Sequence, residues 1–401
     1  MGDPSDSNHQ PFSILLIDDQ PLIAEILNRI FKDHPNISLF YCQNPAEALE
    51  FALRMMPSLI LVDITMSPVN GLDLVKIFKS TPALSYTPVI ILSAQDDPQV
   101  KVKAFASGAD DYIVKLPDSA ELIARFRHHV EWYAHLKERN EAYSKIEEKQ
   151  RHLNLELAEA ATYVRSLLPK PLTSGPIHIN WRFIPSKQLG GDAFGYHWLD
   201  NRYFALYLLD VCGHGLGASL LAISVVNLLR SETIPNVDLK DPRSLLSALN
   251  EAFQMEKHNN MFFTIWYGVY DSLKNEIIYS TAGHPSGLLI HSRDLDIPQV
   301  VGLKTEGVVI GAIPNVPFCN ATVHIEPHSK LYLFTDGIYE IMRKDGGIWG
   351  MLAFSTLLAK QSLDPHTTLD AVIAQIQEIQ GKREFMDDVS ILEISWNLPT
   401  V

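Results

Sequence analysis

The chain has 401 residues, more than one compact domain usually holds, so we expect two or three domains. Its hydrophobic share of 46% and charged share of 20% are ordinary for globular proteins, and its net charge of −14 argues against nucleic acid or an anionic membrane as main partner. Three widely spaced cysteines (Cys42, Cys212 and Cys319), a polar N-terminus and the absence of an apolar run of ~18 residues predict a cytoplasmic protein without disulfides or membrane spans.

Residues 12–130 alternate apolar runs with helical patterns, which predicts an α/β domain around a doubly wound parallel sheet. The strand candidates are FSILLID, SLFYC, SLILVD, PVIILS and DDYIVK. Function gathers at the carboxyl ends of the strands in such sheets, and the polar residues of this segment follow its apolar runs. They are Asp18, Asp19, Asp63, Ser93 and Lys115.

These residues predict a site for a phosphoryl group. Clustered carboxylates at one edge of a sheet favour a hard cation that takes oxygen ligands, such as Mg²⁺. Together with the cation, Lys115 and the Ser93 hydroxyl can neutralise a phosphoryl group carried by Asp63.

This constellation resembles the flavodoxin-like receiver domain of bacterial response regulators, through LLIDDQ, LILVDITMSPVNGLDLV, VIILSAQ and SGADDYIVK. The departures are Met-Ser-Pro at 66–68 and Lys-Leu-Pro at 115–117, and the second leaves open whether a cis peptide follows the last strand. The resemblance implies one Mg²⁺ and a sensor histidine kinase as phosphodonor. It implies Asp63 as phospho-acceptor, Asp18, Asp19 and Asp63 as magnesium ligands, Ser93 and Lys115 as phosphoryl contacts, and Tyr112 as the aromatic switch.

Residues 119–168 contain neither proline nor glycine, and their apolar residues recur mostly at spacings of three, four or seven. This pattern predicts a long helix that Pro169 and Pro171 terminate. We expect residues 131–168 to be a linker that forms a dimerising coiled coil. The alternative is a solvated helix that packs only on its own domain.

Residues 169–401 predict an α+β domain, namely a β-sandwich flanked by helices. The strand candidates are IHINWRFIP, YFALYLLDV, FFTIWYGVYD, EIIYSTAG, GLLIH, KLYLFTD and DVSILEIS. The helix candidates are ASLLAISVVNLLRSE, DPRSLLSALNEAFQME, MLAFSTLLAK and HTTLDAVIAQIQEIQ.

Aspartate beside glycine or a strand end recurs in this region, in GGD, LLDVCGHG, LFTDG and MDDVS. No lysine follows the glycines of DVCGHGLGA as in a phosphate-binding P-loop, and no second Cys/His pair suits zinc. Isolated carboxylates suit two Mg²⁺ or Mn²⁺ ions, which can hold a hydroxide for in-line displacement at phosphorus. No serine or cysteine nucleophile beside a base stands out, which favours activated water over a covalent intermediate.

These motifs resemble the SpoIIE-like branch of the metal-dependent PPM protein phosphatases over about residues 155–397. The matching segments are AATYVRSLLPKP, SKQLGGDAFGY, DVCGHGLGASLLA, FFTIWYGVYD, YSTAGHPSGLL, LYLFTDGIYE and FMDDVSILEI. The resemblance implies hydrolysis of phosphoserine or phosphothreonine by a two-metal hydroxide mechanism. It implies Asp192, Asp210, Asp336 and Asp387 as the catalytic, metal-binding carboxylates, with the backbone carbonyl of Val211 completing one ion's shell.

We also predict roles for several residues that neighbour these carboxylates. His214 is either a turn histidine or a group near the phosphate, and Gly195 stands where the family often has an acid, a change that could weaken an auxiliary metal contact. We expect Asp388 to support its neighbouring ligand, Cys212 to pack, His284 to be structural and Lys187 to face solvent rather than hold a substrate phosphate.

Together the two resemblances predict a response regulator whose phosphorylation at Asp63 repositions the linker helix and controls a protein phosphatase. The family's usual substrate is a phosphorylated anti-sigma-factor antagonist. The alternative is a non-catalytic adaptor with a decayed phosphatase domain that binds a sigma factor or another client, but such a domain should have lost one of the four carboxylates. A DNA-binding regulator is disfavoured, since neither a helix-turn-helix pattern nor a basic patch is found.

Overall fold

The computed structural model describes residues 11–115, 118–231, 234, 237–291, 298–364 and 366–398. The chain divides into two compact units, residues 1–151 and 152–401, and the division falls within one long helix. Among the described residues, no helix combines the length and the apolar character that a membrane crossing requires.

In the described part of the first unit, five strands and four α-helices precede the long helix. The strands are β1 (Phe12–Ile17), β2 (Ile37–Cys42), β3 (Leu59–Asp63), β4 (Val89–Ser93) and β5 (Asp111–Val114). The helices are α1 (Pro21–Phe31), α2 (Ala48–Met55), α3 (Gly71–Ser80) and α4 (Pro98–Ala106). The long helix is α5 (Ser119–Ser166).

The five strands form one parallel sheet in the order β2-β1-β3-β4-β5. Both faces are covered, by α1 and the start of α5 on one side and by α2, α3 and α4 on the other. This double cover explains the nearly continuous apolar runs, because every residue of β3 and β4 is buried. The predicted doubly wound α/β fold is confirmed, and the carboxyl ends of β1, β3, β4 and β5 meet at one edge.

Helix α5 is continuous over 48 residues, as the absence of proline and glycine predicts. Leu122, Ile123 and Phe126 are buried against the sheet. Farther along, large apolar side chains are exposed: Trp132, Tyr143, Ile146, Leu153, Leu155 and Tyr163. A dimeric coiled coil would cover such side chains, and it stays a prediction.

The described residues of the second unit form ten strands and four further α-helices. The strands are β6 (Ile177–Ile184), β7 (Asp192–Trp198), β8 (Tyr203–Val211), β9 (Phe263–Asp271), β10 (Glu276–Ala282), β11 (Gly287–His291), β12 (Gln299–Leu303), β13 (Ala321–His324), β14 (Ser329–Phe334) and β15 (Val389–Trp396). The helices are α6 (Leu216–Ser231), α7 (Pro242–Ala252), α8 (Met351–Ser362) and α9 (Leu369–Gln380).

These strands form two antiparallel sheets, in the orders β13-β10-β9-β8-β7 and β12-β11-β14-β15-β6. The sheets pack face to face over a core that includes Trp266 and Leu392. Helices α6 and α7 cover the outer face of the first sheet, and α8 and α9 cover that of the second. Ile391 faces the helices while its neighbour Leu392 faces the other sheet, as the two-residue period of a strand requires. The predicted helix-flanked sandwich is confirmed.

Three strands of the second unit, β7, β12 and β13, were not among the predicted ones. Each lies at the edge of its sheet. Strands β12 and β13 are short and partly exposed, so their composition carries little apolar signal. Strand β7 begins within the Gly-Gly-Asp segment, which is also typical of a turn.

Gly195 in β7 pairs with Tyr207 in β8 and lies against its ring. A Cβ at position 195 would lie 2.3 Å from the Tyr207 hydroxyl oxygen, so the phenol fills the space of a side chain there. Ala193, two residues earlier on the same face, belongs to the core under α6 and α7, whereas Asp192 and Phe194 point to the opposite face. An acid at position 195 would lie on the opposite face of β7 from Asp192. Its absence therefore removes no group from the face that carries Asp192.

We expect Gly195→Ala to destabilise the second unit by about 1–3 kcal/mol, because the added methyl must displace the buried Tyr207 ring. Gly302→Ala in β12 is the matched control, since its Cβ would meet Ser286 only at 3.8 Å. Urea unfolding of the two variants measures the difference. Equal free energies of unfolding would show that Tyr207 does not constrain position 195.

Candidate metal centres

Three carboxylates meet at the carboxyl edge of the parallel sheet. Oxygen atoms of Asp18, Asp19 and Asp63 lie within 4.8 Å of one another. Asp18 follows β1 and is fully buried, and Asp63 ends β3 and is 3% exposed. One carboxylate oxygen of Asp19 is buried, and no described residue forms a hydrogen bond with it. A divalent cation fits these three carboxylates, because it would neutralise their negative charge and bind the unpaired oxygen of Asp19.

Lys115, directly after β5, contacts two of these carboxylates. Its ammonium lies 2.9 Å from Asp18 Oδ2 and 3.1 Å from Asp63 Oδ1. Burial opposes the charged form of Lys115, but its hydrogen bonds to Asp18 and Asp63 outweigh burial and raise its pKa. Burial raises the pKa of Asp63, and the Lys115 hydrogen bond only partly offsets this. The lysine is thus held charged beside the predicted phospho-acceptor.

The side chains of Ser93 and Tyr112 both contact the backbone of Gln95. The Ser93 hydroxyl, at the end of β4, accepts from Gln95 N at 3.2 Å and lies 3.2 Å from the Gln95 carbonyl. The Tyr112 hydroxyl donates to the same carbonyl at 2.7 Å, with its ring buried. A phosphoryl group that engaged Ser93 would therefore disturb the hydrogen bond of Tyr112. Residues 116–117, where a cis peptide was left open, lie outside the described residues.

Four carboxylates gather at one edge of the sandwich in the second unit, two from each sheet. Asp192 begins β7 and faces Asp210 near the end of β8 in the strand register. Asp336 follows β14, and Asp387 precedes β15 by two residues. Asp192 is buried, Asp210 and Asp336 are half-buried, and Asp387 is exposed. The structure therefore brings together the four predicted residues from four separate strands.

Asp192 is fixed by two hydroxyl groups of the opposite sheet. Its Oδ2 accepts from Thr335 Oγ1 at 2.8 Å and from Ser390 Oγ at 2.7 Å. Its other oxygen is buried and has no hydrogen-bond partner among the described residues. Burial and the charge of Asp210 together raise the pKa of Asp192 well above its usual value. Sequence reasoning missed Thr335 and Ser390, although each stands within two residues of an aspartate that it had selected.

Burial and mutual repulsion together determine the electrostatics of this centre. Burial, followed by the charges of Asp336, Asp387 and Asp388, raises the pKa of Asp210 to about 8. Burial and the charge of Glu340 raise the pKa of Asp336. Sequence reasoning also missed Glu340. It could have been found from its position four residues after Asp336 in LFTDGIYE. Oxygen ligands that repel one another fit divalent cations, which relieve the repulsion.

The two centres differ in compactness. In the part of the chain that the structure describes, Asp18, Asp19 and Asp63 form the one group of three metal-ligating side chains within 4.8 Å. The carboxylates of the second unit act on one another electrostatically without forming such a trio. The Val211 carbonyl lies beside Gly191, where a Cβ would approach its oxygen to 2.5 Å.

Asp388 holds the loop that leads to Asp192. Its Oδ1 accepts from the backbone amide of Ser186 at 2.7 Å and from the Ser186 hydroxyl at 3.0 Å. Its Oδ2 accepts from Gly191 N at 2.6 Å. The side chain is buried and these bonds use both of its oxygens. Asp388 therefore positions the chain beside Asp192, whereas the sequence suggested that it supports its neighbour Asp387.

The segment DVCGHGLGA forms a turn into α6. Gly213 and Gly215 have φ values of +85° and +91°, a region that favours glycine. The exposed His214 lies between them, with Nε2 3.2 Å from the Lys187 ammonium. Lys187 is exposed, as predicted, and it contacts His214. The structure thus adds a cation beside His214 that the spacing of the sequence did not reveal.

Cys212 and His284 have local partners. The Cys212 sulfur accepts from Phe262 N at 3.2 Å, in keeping with a packing role. His284 is buried, with Nδ1 2.8 Å from the Thr264 hydroxyl, and Thr264 pairs with Asp210 in the strand register. Burial lowers the pKa of His284 to about 3, so its ring is neutral at pH 7. It supports the strand beside Asp210 without adding charge.

Comparison with known proteins finds a family for each unit. Residues 14–127 match the response regulator receiver domain, and residues 200–397 match stage II sporulation protein E (SpoIIE). The chain is 26% identical to phosphoserine phosphatase RsbP of Bacillus subtilis (strain 168), over 46% of this chain and 45% of that protein. It is 26% identical to phosphoserine phosphatase RsbU of the same organism, over 49% of this chain and 57% of that protein. The chain thus spans about half the length of these curated relatives.

A solved structure supports the fold of the second unit. The SiaA-PP2C domain of Pseudomonas aeruginosa is 22% identical, covers 62% of this chain and 99% of its own, and superimposes with a TM-score of 0.53. At this identity the likeness establishes the fold alone. The chain therefore joins a response regulator receiver domain to a SpoIIE-family domain with a PP2C-like β-sandwich fold.

Proposed function

We propose that the chain is a receiver-controlled, metal-dependent phosphatase that hydrolyses phosphoserine or phosphothreonine on a partner protein. The observation that carries the proposal is the gathering of Asp192, Asp210, Asp336 and Asp387, whose mutual repulsion calls for cations. The match of this region to the SpoIIE family supports it, as do the names of RsbP and RsbU, both phosphoserine phosphatases.

The four carboxylates would hold two Mg²⁺ or Mn²⁺ ions, with the Val211 carbonyl as a further ligand. Bound there, the ions would activate water and neutralise the phosphoryl oxygens during in-line displacement. Thr335 and Ser390 keep Asp192 in one orientation through their hydrogen bonds. The exposed Asp387 marks the side from which a phosphorylated residue enters.

Control by the receiver would pass through the end of α5. Val164 on α5 and Leu168 just after it line one cavity with Gly190 and Asp192, within the second unit. The Ser219 hydroxyl of α6, which lines the same cavity, donates to the Gly190 carbonyl. A shift of the helix end would therefore move the loop that positions Asp192. Phosphorylation of Asp63 is the proposed cause of such a shift.

The proposed partners follow from the two families. A sensor histidine kinase would phosphorylate Asp63, with one Mg²⁺ bound by Asp18, Asp19 and Asp63. A phosphorylated anti-sigma-factor antagonist would be the substrate. The exposed apolar side chains of α5 suit a homodimer. These partners place the protein in the cytoplasm.

We expect Asp336→Asn to lower manganese-dependent hydrolysis of para-nitrophenyl phosphate by about 100-fold or more, beyond the 10–100-fold typical of residues that only support a metal ligand. The exposed Asp345, with its ion pair to Arg343, provides the control Asp345→Asn, which should keep full activity. Equal rates for wild type and Asp336→Asn would overturn the phosphatase assignment and favour the adaptor.

We expect acetyl phosphate, a small phosphodonor, to change the rate by about fivefold or more, the lower range of allosteric coupling. The change should vanish in Asp63→Ala, which lacks the acceptor, and persist in Asp73→Ala on the exposed surface of α3. Rates in the three chains are measured with and without the phosphodonor. The same change in Asp63→Ala, or none in wild type, would rule out control through Asp63.

A further inference from the structure

A groove of about 340 Å³ lies at the carboxyl end of α9, and we call it the basic groove. Three of its lining side chains are cations and one is a carboxylate, in a chain whose net charge is −14. The lining residues are Lys344, Ala374, Gln377, Glu378, Gly381, Lys382 and Arg383.

The three cations of the basic groove are exposed, and among the described residues none of them forms an ion pair. Neighbouring Arg343 pairs with Asp345 at 3.1 Å. Within the described ranges of the chain, by contrast, no carboxylate lies within ion-pair distance of Lys344, Lys382 or Arg383. Their charge is therefore available to a partner.

The backbone that carries these cations is held in place. Gln377 donates to the Arg383 carbonyl at 2.8 Å, and Gln380 donates to the Lys382 carbonyl at 2.7 Å. The stem of Lys344 lies across Gly381, where a Cβ would meet Lys344 Cγ at 2.8 Å. The partial negative charge at the carboxyl end of α9 attracts cations, which explains why three of them can lie close together. Their outer faces remain exposed to solvent.

The basic groove is close to the metal centre. Arg383 precedes Asp387 by four residues, a span of at most about 14 Å even when fully extended. Met386, between them, is 89% exposed. A folded partner buries about 800 Å² on each side of an ordinary interface, a patch roughly 30 Å across. A protein that presents a phosphorylated residue at Asp387 therefore also reaches Arg383 of the basic groove.

We propose that the basic groove binds an acidic segment of the phosphoprotein substrate, next to the residue that is dephosphorylated. The inference rests on the proposed phosphatase function and adds the chemistry by which the substrate is chosen. Carboxylates of the substrate neutralise Lys344, Lys382 and Arg383, and Met386 lies under the covering surface. Opposite charge at an interface speeds association and excludes like-charged partners.

The test uses two synthetic peptides with one phosphoserine each, flanked on both sides by four glutamates or by four glutamines. The blocks begin four residues from the phosphoserine, to match the span from Asp387 to Arg383. Para-nitrophenyl phosphate has no peptide segment that could contact the basic groove, so its hydrolysis rate measures the chemical step alone. The test variant is Lys382→Gln/Arg383→Gln. The control, Lys257→Gln/Lys274→Gln, removes two exposed cations outside the basic groove in the same unit.

Wild type should hydrolyse the glutamate peptide with a kcat/KM about fivefold above that of the glutamine peptide, the scale of two exposed ion pairs. The test variant should lose this preference through KM, as should wild type in 0.5 M salt. Its rates on the glutamine peptide and on para-nitrophenyl phosphate should stay unchanged, and the control variant should keep the preference.

No preference in wild type, or equal loss in both variants, would overturn the proposal, because the basic groove would then have no specific effect. Failure of wild type to hydrolyse para-nitrophenyl phosphate would instead contradict the proposed phosphatase function, and with it the role of the basic groove.

Discussion

The repulsion among four carboxylates at one edge of the sandwich is the constraint on which the second unit depends. Each acid comes from a different strand, and the packing of the two sheets holds them in proximity. Hydroxyls of Thr335 and Ser390 satisfy one oxygen of Asp192, but no hydroxyl can cancel the summed charge. Burial of Asp210, together with the charges of Asp336, Asp387 and Asp388, raises its pKa to about 8. The fold thus builds a centre that divalent cations complete.

The receiver handles the same problem differently. Its three carboxylates meet within 4.8 Å, and Lys115 already neutralises part of their charge. One cation is enough to balance the rest and leaves room for a phosphoryl group on Asp63. In the second unit, the exposed Lys187 contacts His214. The partial neutralisation suits a reversible phosphoryl site, whereas the unrelieved charge suits ions that stay bound.

Asp63 and Asp210 could be predicted from sequence because each lies at or near the end of a strongly apolar strand, whereas Asp192 begins β7, which was not predicted, and was found through its Gly-Gly-Asp segment. The edge strands β12 and β13 could not be predicted, since partial exposure weakens their apolar pattern. The effect of glycine at position 195 depends on the face of β7 that it occupies and on Tyr207 opposite it. Both are set by the strand register, which the sequence does not show. The basic groove joins Lys344 to residues nearly forty positions away, so only the folded chain reveals it.

The most direct test of the metal centre is calorimetric titration of the full chain with Mn²⁺ at pH 7 in buffers of different ionisation enthalpy. Because the pKa of Asp210 is about 8 without metal, ion binding should release protons at pH 7, and this release should decline above pH 8. Asp210→Asn should abolish the release and the tight binding assigned to the second unit, while the receiver site remains as an internal reference. Identical isotherms and proton release for wild type and Asp210→Asn would contradict the account.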